Sequence, residues 1–150
     1  MSHYVRQDDR YRRWRPVDLS HRLAGGGWAS TPSDLVRLAA GTLDDTFLPS
    51  NTRERLWTPQ RLATGEVNEQ DYAIGWRVRE RDTPFGAVRE VNHGGVSRGA
   101  QCWLALWPDE GVALALSINT NTAQFGDFAQ ISEALLTQFT QRARELRELN

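Results

Sequence analysis

The sequence predicts an α+β protein, an antiparallel β-sheet with one C-terminal helix packed on it and short helices on its N-terminal side. Two observations carry this expectation. Between residues 71 and 119, apolar residues recur at every second position in segments separated by turns rich in Pro and Gly, which is the period of half-buried strands. Over residues 122–148 the period becomes helical, and Phe125, Phe128, Ile131, Leu135 and Phe139 fall on one apolar stripe.

The elements follow in order. Residues 1–23 are polar, rich in arginine and punctuated by Pro16, which predicts an arm or loop. Short helices are expected over 24–60. Gly25-Gly26-Gly27 leads into Ser30-Thr31-Pro32-Ser33-Asp34, where the Thr31 hydroxyl caps, Pro32 suits the first helical position and Asp34 adds negative charge at the positive end of the helix dipole. Ser30-Thr31 therefore reads as a cap and not as a nucleophile. Leu35, Leu38 and Ala39 give that helix its apolar face, and a second helix runs from Ser50 through Leu56-Trp57, ending before Pro59.

In the sheet region Tyr72, Ile74, Trp76 and Val78 alternate with Ala73, Gly75, Arg77 and Arg79, which predicts a first strand. Residues 87–93 predict a second, joined to it through Asp82-Thr83-Pro84-Phe85-Gly86. Gln101–Trp107 and Val112–Ile118 flank Pro108-Asp109-Glu110-Gly111, the clearest hairpin signal in the chain. The arginine and glutamate residues from Arg142 onward read as a solvated end of the last helix.

A length of 150 residues with 39% hydrophobic and 25% charged content fits one folded domain that needs neither disulfide nor metal. The formal net charge of −1 gives no bulk attraction to nucleic acid or anionic membrane. Trp28, Trp57, Trp76, Trp103 and Trp107 lack an accompanying basic stripe, so they read as core and cleft wall and not as a base-stacking platform. His3, His21 and His93 do not have metal-ligand spacing, and the single Cys102, in an apolar run, is expected to be a small buried hydrophobe. No run reaches the ~18 apolar residues of a membrane span, and the N-terminus has no apolar signal region, so a soluble chain without an export signal is expected; the compartment is left unassigned. All 18 basic residues are arginine, so a mechanism with a neutral lysine amine as base is not available to these residues alone.

Four segments, in this order, resemble the serine β-lactamase-like family of class C β-lactamases, penicillin-binding DD-peptidases and related esterases. Gly26-Gly27-Trp28-Ala29-Ser30-Thr31-Pro32-Ser33-Asp34-Leu35 is similar to the family's Gly-Gly-x-x-Ser-Thr-x-x-Asp-Leu. Tyr72-Ala73-Ile74-Gly75-Trp76 is similar to Tyr-Gly-x-Gly-Trp, His93-Gly94-Gly95 with Gly99 to His-x-Gly-x-x-x-Gly, and Asn119-Thr120 to the asparagine that ends the following strand. The resemblance covers about Tyr4 to Phe139 and implies the C-terminal portion of a β-lactamase-like fold.

By that resemblance His93, Gly94, Gly95 and Val96 line the substrate cleft, at the place of the family's Lys-Thr-Gly strand. His93 would steady a proton network or attract a substrate carboxylate, the glycines would let substrate lie against the strand, and the Val96 N–H would donate to the oxyanion of acyl transfer. Val96 is larger than the residue usual there. The family's Ser-x-x-Lys nucleophile motif is absent, so the resemblance implies a C-terminal fragment with no catalytic residue of its own, inactive alone, using no cofactor or metal. The implied partner is a small-molecule or peptide acyl substrate once a missing half completes the site. A non-catalytic binding module and an oligomerising remnant, such as a homo-oligomer, are the alternatives. Gly95-Val96-Ser97-Arg98-Gly99 also matches the Gly-x-Ser-x-Gly nucleophile elbow, but that motif requires a helix after the serine and a histidine later in the chain, and no histidine follows Ser97.

Overall fold

The computed structural model describes residues 2–121, 124 and 126–149. The N-terminal arm contains a two-stranded hairpin, β1 (Tyr4–Gln7) paired antiparallel with β2 (Arg10–Arg13). The sequence predicts an arm or loop here and no strand. β2 is exposed throughout, so no burial alternation marks it in the sequence. The hairpin is fastened by hydrogen bonds: Tyr4 N donates to Asn119 O at 2.8 Å, Trp14 N to His3 O at 2.7 Å, and the Asn119 side chain from Nδ2 to Ser2 O at 3.2 Å.

Helix α1 (Pro32–Thr42) begins as its caps dictate. Thr31 Oγ1 accepts from Asp34 N at 3.2 Å and donates to Asp34 Oδ2 at 2.8 Å, with Pro32 in the first turn. Leu35 is packed inward, but Leu38 is half exposed and Ala39 and Thr42 take the buried positions. Helix α2 (Ser50–Leu56) matches its expected span. Arg53 links the helices by donating from Nη1 to Thr42 O and Leu48 O at 3.1 and 3.2 Å.

The strand expected from Tyr72 starts only at Arg77. Gly75 adopts φ +80°, and the chain reverses so that Ala73 N donates to Trp76 O at 2.7 Å and Val78 N to Asp71 O at 3.0 Å. A left-handed residue cannot continue an extended strand, so the alternation over 72–76 belongs to a tight loop.

The sheet comprises β3 (Arg77–Thr83), β4 (Gly86–Ser97), β5 (Ala100–Trp107) and β6 (Val112–Ile118), antiparallel in the order β3-β4-β5-β6. β4 continues four residues past the expected end at His93. The β5–β6 connection is a 3₁₀ turn, Pro108–Glu110, closed by Gly111 in the left-handed conformation as anticipated. The last helix, α3, spans Gly126–Glu148. Phe125, the first residue of the anticipated stripe, lies outside the described residues, as do Thr122 and Ala123.

Both sheet faces are covered. Val78, Val91, Leu104 and Leu106 pack with Ala39 of α1 and with Trp57 just after α2, and Arg89 Nη1 binds the Glu54 carboxylate of α2 at 3.2 Å. On the opposite face Val88, Trp103, Ala105, Trp107 and Leu114 pack against Phe128 and Leu136 of α3. The buried line of α3 is Phe128, Ser132, Leu136 and Thr140, whereas Ile131 and Phe139 are each 49% exposed. Small side chains, Ser132 and Thr140, alternate along the buried line with Phe128 and Leu136, which share a cluster with Trp103 and Trp107. The far end of α3 is tied down by Arg144, which bonds the Glu110 carboxylate in bidentate fashion and lies over the Phe85 ring.

Candidate substrate-cleft site

The site begins with a mismatch in strand length. The last β3–β4 pair is Arg77↔Asn92, whereas β4 stays paired with β5 from Val91↔Leu106 to Ser97↔Ala100. His93–Ser97 therefore has a neighbour on one side only, and among the described residues no strand pairs with its other edge. The two-residue turn Arg98-Gly99 makes Ser97 and Ala100 the hydrogen-bonded closing pair. Ladder bonds alternate along an antiparallel strand, so His93 and Gly95 spend theirs on β5, while Gly94 and Val96 direct N–H and C=O to the open edge.

The reversed loop before β3 places Tyr72 beside that edge. Tyr72 Oη lies 2.8 Å from His93 Nε2, with the two rings edge to face at 72°. Asn68 fixes the Tyr72 backbone from both sides: its Oδ1 accepts from Tyr72 N at 2.8 Å and its Nδ2 donates to Tyr72 O at 2.8 Å. Arg77 stands 5.4 Å from the Tyr72 ring centroid, held by bonds from Nε and Nη2 to Gln70 Oε1 at 3.1 and 2.8 Å.

Partial burial, and then the positive charge of Arg77, hold the His93 imidazole below its ordinary pKa; a hydrogen bond to the Gly94 backbone works the other way. The ring is thus biased toward neutral at pH 7. Nε2 is engaged by the Tyr72 hydroxyl, which donates to it in one neutral tautomer and accepts from it in the other. A neutral imidazole linked to a phenol can hold or pass a proton, but it does not supply a fixed cation; Arg77 is the adjacent one.

The structure brings His93, Gly94, Gly95 and Val96 together on one exposed strand end. Gly95 faces Cys102 across the ladder, and a Cβ at Gly95 would stand 3.0 Å from Cys102 Sγ. Cys102 is exposed and not buried as expected, because the helices cover Leu104 and Leu106 on that face but leave this end bare. Ser97 is followed by the Arg98-Gly99 turn and β5, so the strand–turn–helix of a nucleophile elbow is not formed. Asn119 fastens the N-terminal segment, and it is Asn121 that braces the turn, accepting from Gly99 N at 2.7 Å and donating to Ser97 O at 3.1 Å.

Sequence reasoning gave no role to Tyr72, Asn68 or Arg77. Tyr72 stood in a recognised motif, but its hydroxyl contact depends on the left-handed turn at Gly75. Among the described residues no group of three or more His, Cys, Asp or Glu is placed to hold a metal, and no helix is long and apolar enough to cross a membrane.

Comparison with known proteins finds relatives of this chain. Two curated relatives are the mitochondrial serine beta-lactamase-like protein LACTB of Homo sapiens, 30% identical over 116 residues (63% of this chain and 21% of that protein), and its Bos taurus counterpart, 30% identical over 123 residues (67% and 22%). The chain spans about a fifth of the length of the curated relatives it matches. No solved structure matches it. The family model described as Beta-lactamase matches residues 2–138, and the chain therefore belongs to the serine β-lactamase-like family.

Proposed function

We propose that this chain forms one wall of a serine acyl-transfer cleft. An acyl substrate lies along the open edge of β4, the Val96 N–H donates to the developing oxyanion, and the His93–Tyr72 pair steadies the proton network beside it. The nucleophile and its base come from polypeptide outside these 150 residues, which contain no lysine from which to build a Ser-x-x-Lys pair. Gly94, Gly95 and Val96 are the substrate-lining residues and His93 the proton-network residue. Alone, the chain binds without turnover.

The observation that carries this reading is the edge itself. Five consecutive residues, His93–Ser97, are held rigidly by β5 yet open on the side where β3 stops. An open, preorganised edge offers a peptide-like acyl group backbone hydrogen bonds at the spacing of an added strand. The test has two parts. Intact mass after treatment with a fluorophosphonate shows no adduct on the chain alone, whereas a stoichiometric adduct mapped to Ser97 overturns the assignment of the nucleophile. Titration with an N-acyl aminomethylphosphonate, a tetrahedral mimic, shifts the amide resonances of Gly94 and Val96; if those resonances stay fixed, the cleft-wall reading fails.

Exposed apolar residues of the N-terminal segment favour a second reading alongside it, in which this face is covered by other polypeptide. Trp28 is 82% exposed and Leu23 71%, on a stretch adjoining the cleft strand. A second copy of the chain is the simplest cover, and sedimentation that shifts with concentration would detect it.

A further inference from the structure

The loop that carries Tyr72 to His93 has little packing to hold it. No residue of either core cluster lies in 58–72, and the large aliphatic side chains of that stretch, Leu62 and Val67, are 51% and 40% exposed. Its shape is also strained. Asp71, immediately before Tyr72, sits at φ +52°, a left-handed conformation that a residue with a side chain keeps only when its surroundings hold it there. On one side the start of β3 supplies a hold, through Val78 N to Asp71 O and Ala73 N to Trp76 O. On the other side the hold comes from one residue.

Asn68 bonds to both flanks of the kink. Its Oδ1 accepts from Gln70 N at 3.2 Å and from Tyr72 N at 2.8 Å, its Nδ2 donates to Tyr72 O at 2.8 Å and to Gln60 O at 3.0 Å, and its own backbone oxygen accepts from Asp71 N at 2.9 Å. The side chain thereby uses both donors and both lone pairs of its amide. A carboxylate in its place would turn an oxygen toward the Gln60 and Tyr72 carbonyls, and an apolar side chain would make none of these bonds. Hydrogen bonding by Asn68, more than burial, decides where this side of Tyr72 stands.

We infer that Asn68 is a positioning residue for His93: by clasping the chain on both sides of Asp71 it holds the Tyr72 hydroxyl at Nε2 and so sets where the imidazole carries its proton. It acts through Tyr72, since none of its own hydrogen bonds reaches His93. The inference rests on the cleft-wall reading for its place in acyl transfer, but the positioning is testable on the chain itself.

The readout is the pair of imidazole nitrogen resonances of His93 in the 150-residue chain at about pH 8, where the ring is neutral. Asn68→Ala moves them in the same direction as Tyr72→Phe does, and amide exchange at Tyr72 quickens about fivefold, the equivalent of one hydrogen bond. Amide resonances of the β5–β6 hairpin stay in place, which shows that the sheet is intact. In a Tyr72→Phe background Asn68→Ala adds no further change at His93, because the route to the ring is already cut. Asn68→Asp keeps the acceptor for Tyr72 N but repels the Gln60 and Tyr72 carbonyls, so it moves the His93 resonances as Asn68→Ala does, and it serves as the variant to read where the alanine form does not fold. Unchanged His93 resonances in these variants overturn the inference. A shift of equal size with and without the Tyr72 hydroxyl overturns it too, and assigns Asn68 to general support of the loop. The phosphonate titration does not involve Asn68, so failure of the cleft wall and failure of the positioning are read separately.

Discussion

Tyr72 and His93, 21 residues apart in sequence, meet at 2.8 Å between Oη and Nε2, and this contact joins the loop before β3 to the open edge of β4. The loop has its shape from Gly75 and its anchorage from Asn68, so the proton arrangement at His93 depends on residues that do not touch it.

Tyr72→Phe removes the hydroxyl partner of Nε2 and keeps the ring. The Tyr72 hydroxyl stabilises whichever neutral tautomer it pairs with, so the variant's tautomer balance shifts while burial and Arg77 still hold the His93 pKa below its ordinary value. Long-range nitrogen–proton spectra of the imidazole report that balance. The fold loses about 1 kcal/mol, the usual worth of one hydrogen bond. An unchanged tautomer would mean that the Gly94 backbone alone orients the ring.

The same group gives stability a pH dependence. The folded-state pKa of His93 lies below the unfolded value, so in the window between them the unfolded chain binds more protons. The contribution is fully present above the unfolded pKa of about 6.5 and is lost as pH falls through the folded pKa. Melting temperature therefore declines on acidification below about pH 6.5, and His93→Gln flattens that part of the profile. Parallel slopes in the two proteins would assign the decline to other groups.

Glu90 and Asn92 are 2% and 1% exposed on the α3 face of β4. The Glu90 carboxylate accepts from Arg81 Nε and Nη2 at 3.3 and 3.2 Å, from Asn92 Nδ2 at 2.8 Å and from Trp107 Nε1 at 3.4 Å. Glu90→Ala strands the Arg81 guanidinium and two buried donors and costs about 3–5 kcal/mol in urea unfolding. Glu90→Gln keeps an acceptor and costs less. Equal losses would show that packing, not charge, decides the site.

Much of this was legible in the sequence because local chemistry wrote it there. Thr31-Pro32 with Asp34 specifies one helix start, Pro108 to Gly111 one turn, and His93-Gly94-Gly95 marked the strand that proves to have the open edge. What escaped depended on distant partners. The alternation over Tyr72–Val78 obeys the strand period, yet Gly75 turns the chain within it. The hairpin β1–β2 buries too little to leave a pattern and is held by hydrogen bonds to Asn119. Of the stripe read on α3, Phe128 is buried and Leu135 packs against the core, but Ile131 and Phe139 are half exposed and Ser132, Leu136 and Thr140 take the buried line instead, a rotation set by the sheet side chains it meets.

The seat of the N-terminal segment depends on Gly99. This residue has φ +73°, and a Cβ there would stand 2.9 Å from Tyr4 O and 3.0 Å from both His3 Cβ and Tyr4 N. The obstacle is mostly backbone, so it yields only if the N-terminal segment moves off the β4–β5 turn. Gly86 is the control, because its φ of +102° imposes comparable strain but nothing lies within 4 Å of its Cβ position. Gly86→Ala costs about 1 kcal/mol, in the range of backbone strain alone, and Gly99→Ala costs at least about 1 kcal/mol more. The added loss has a local signature. Once the segment lifts, Trp14 leaves Arg98, whose guanidinium lies 5.3 Å from its ring, its fluorescence shifts red, and trypsin cuts at Arg13 and Arg22 faster than in the Gly86 variant. Equal stability and equal cleavage in the two variants would show that the segment is not seated on this turn.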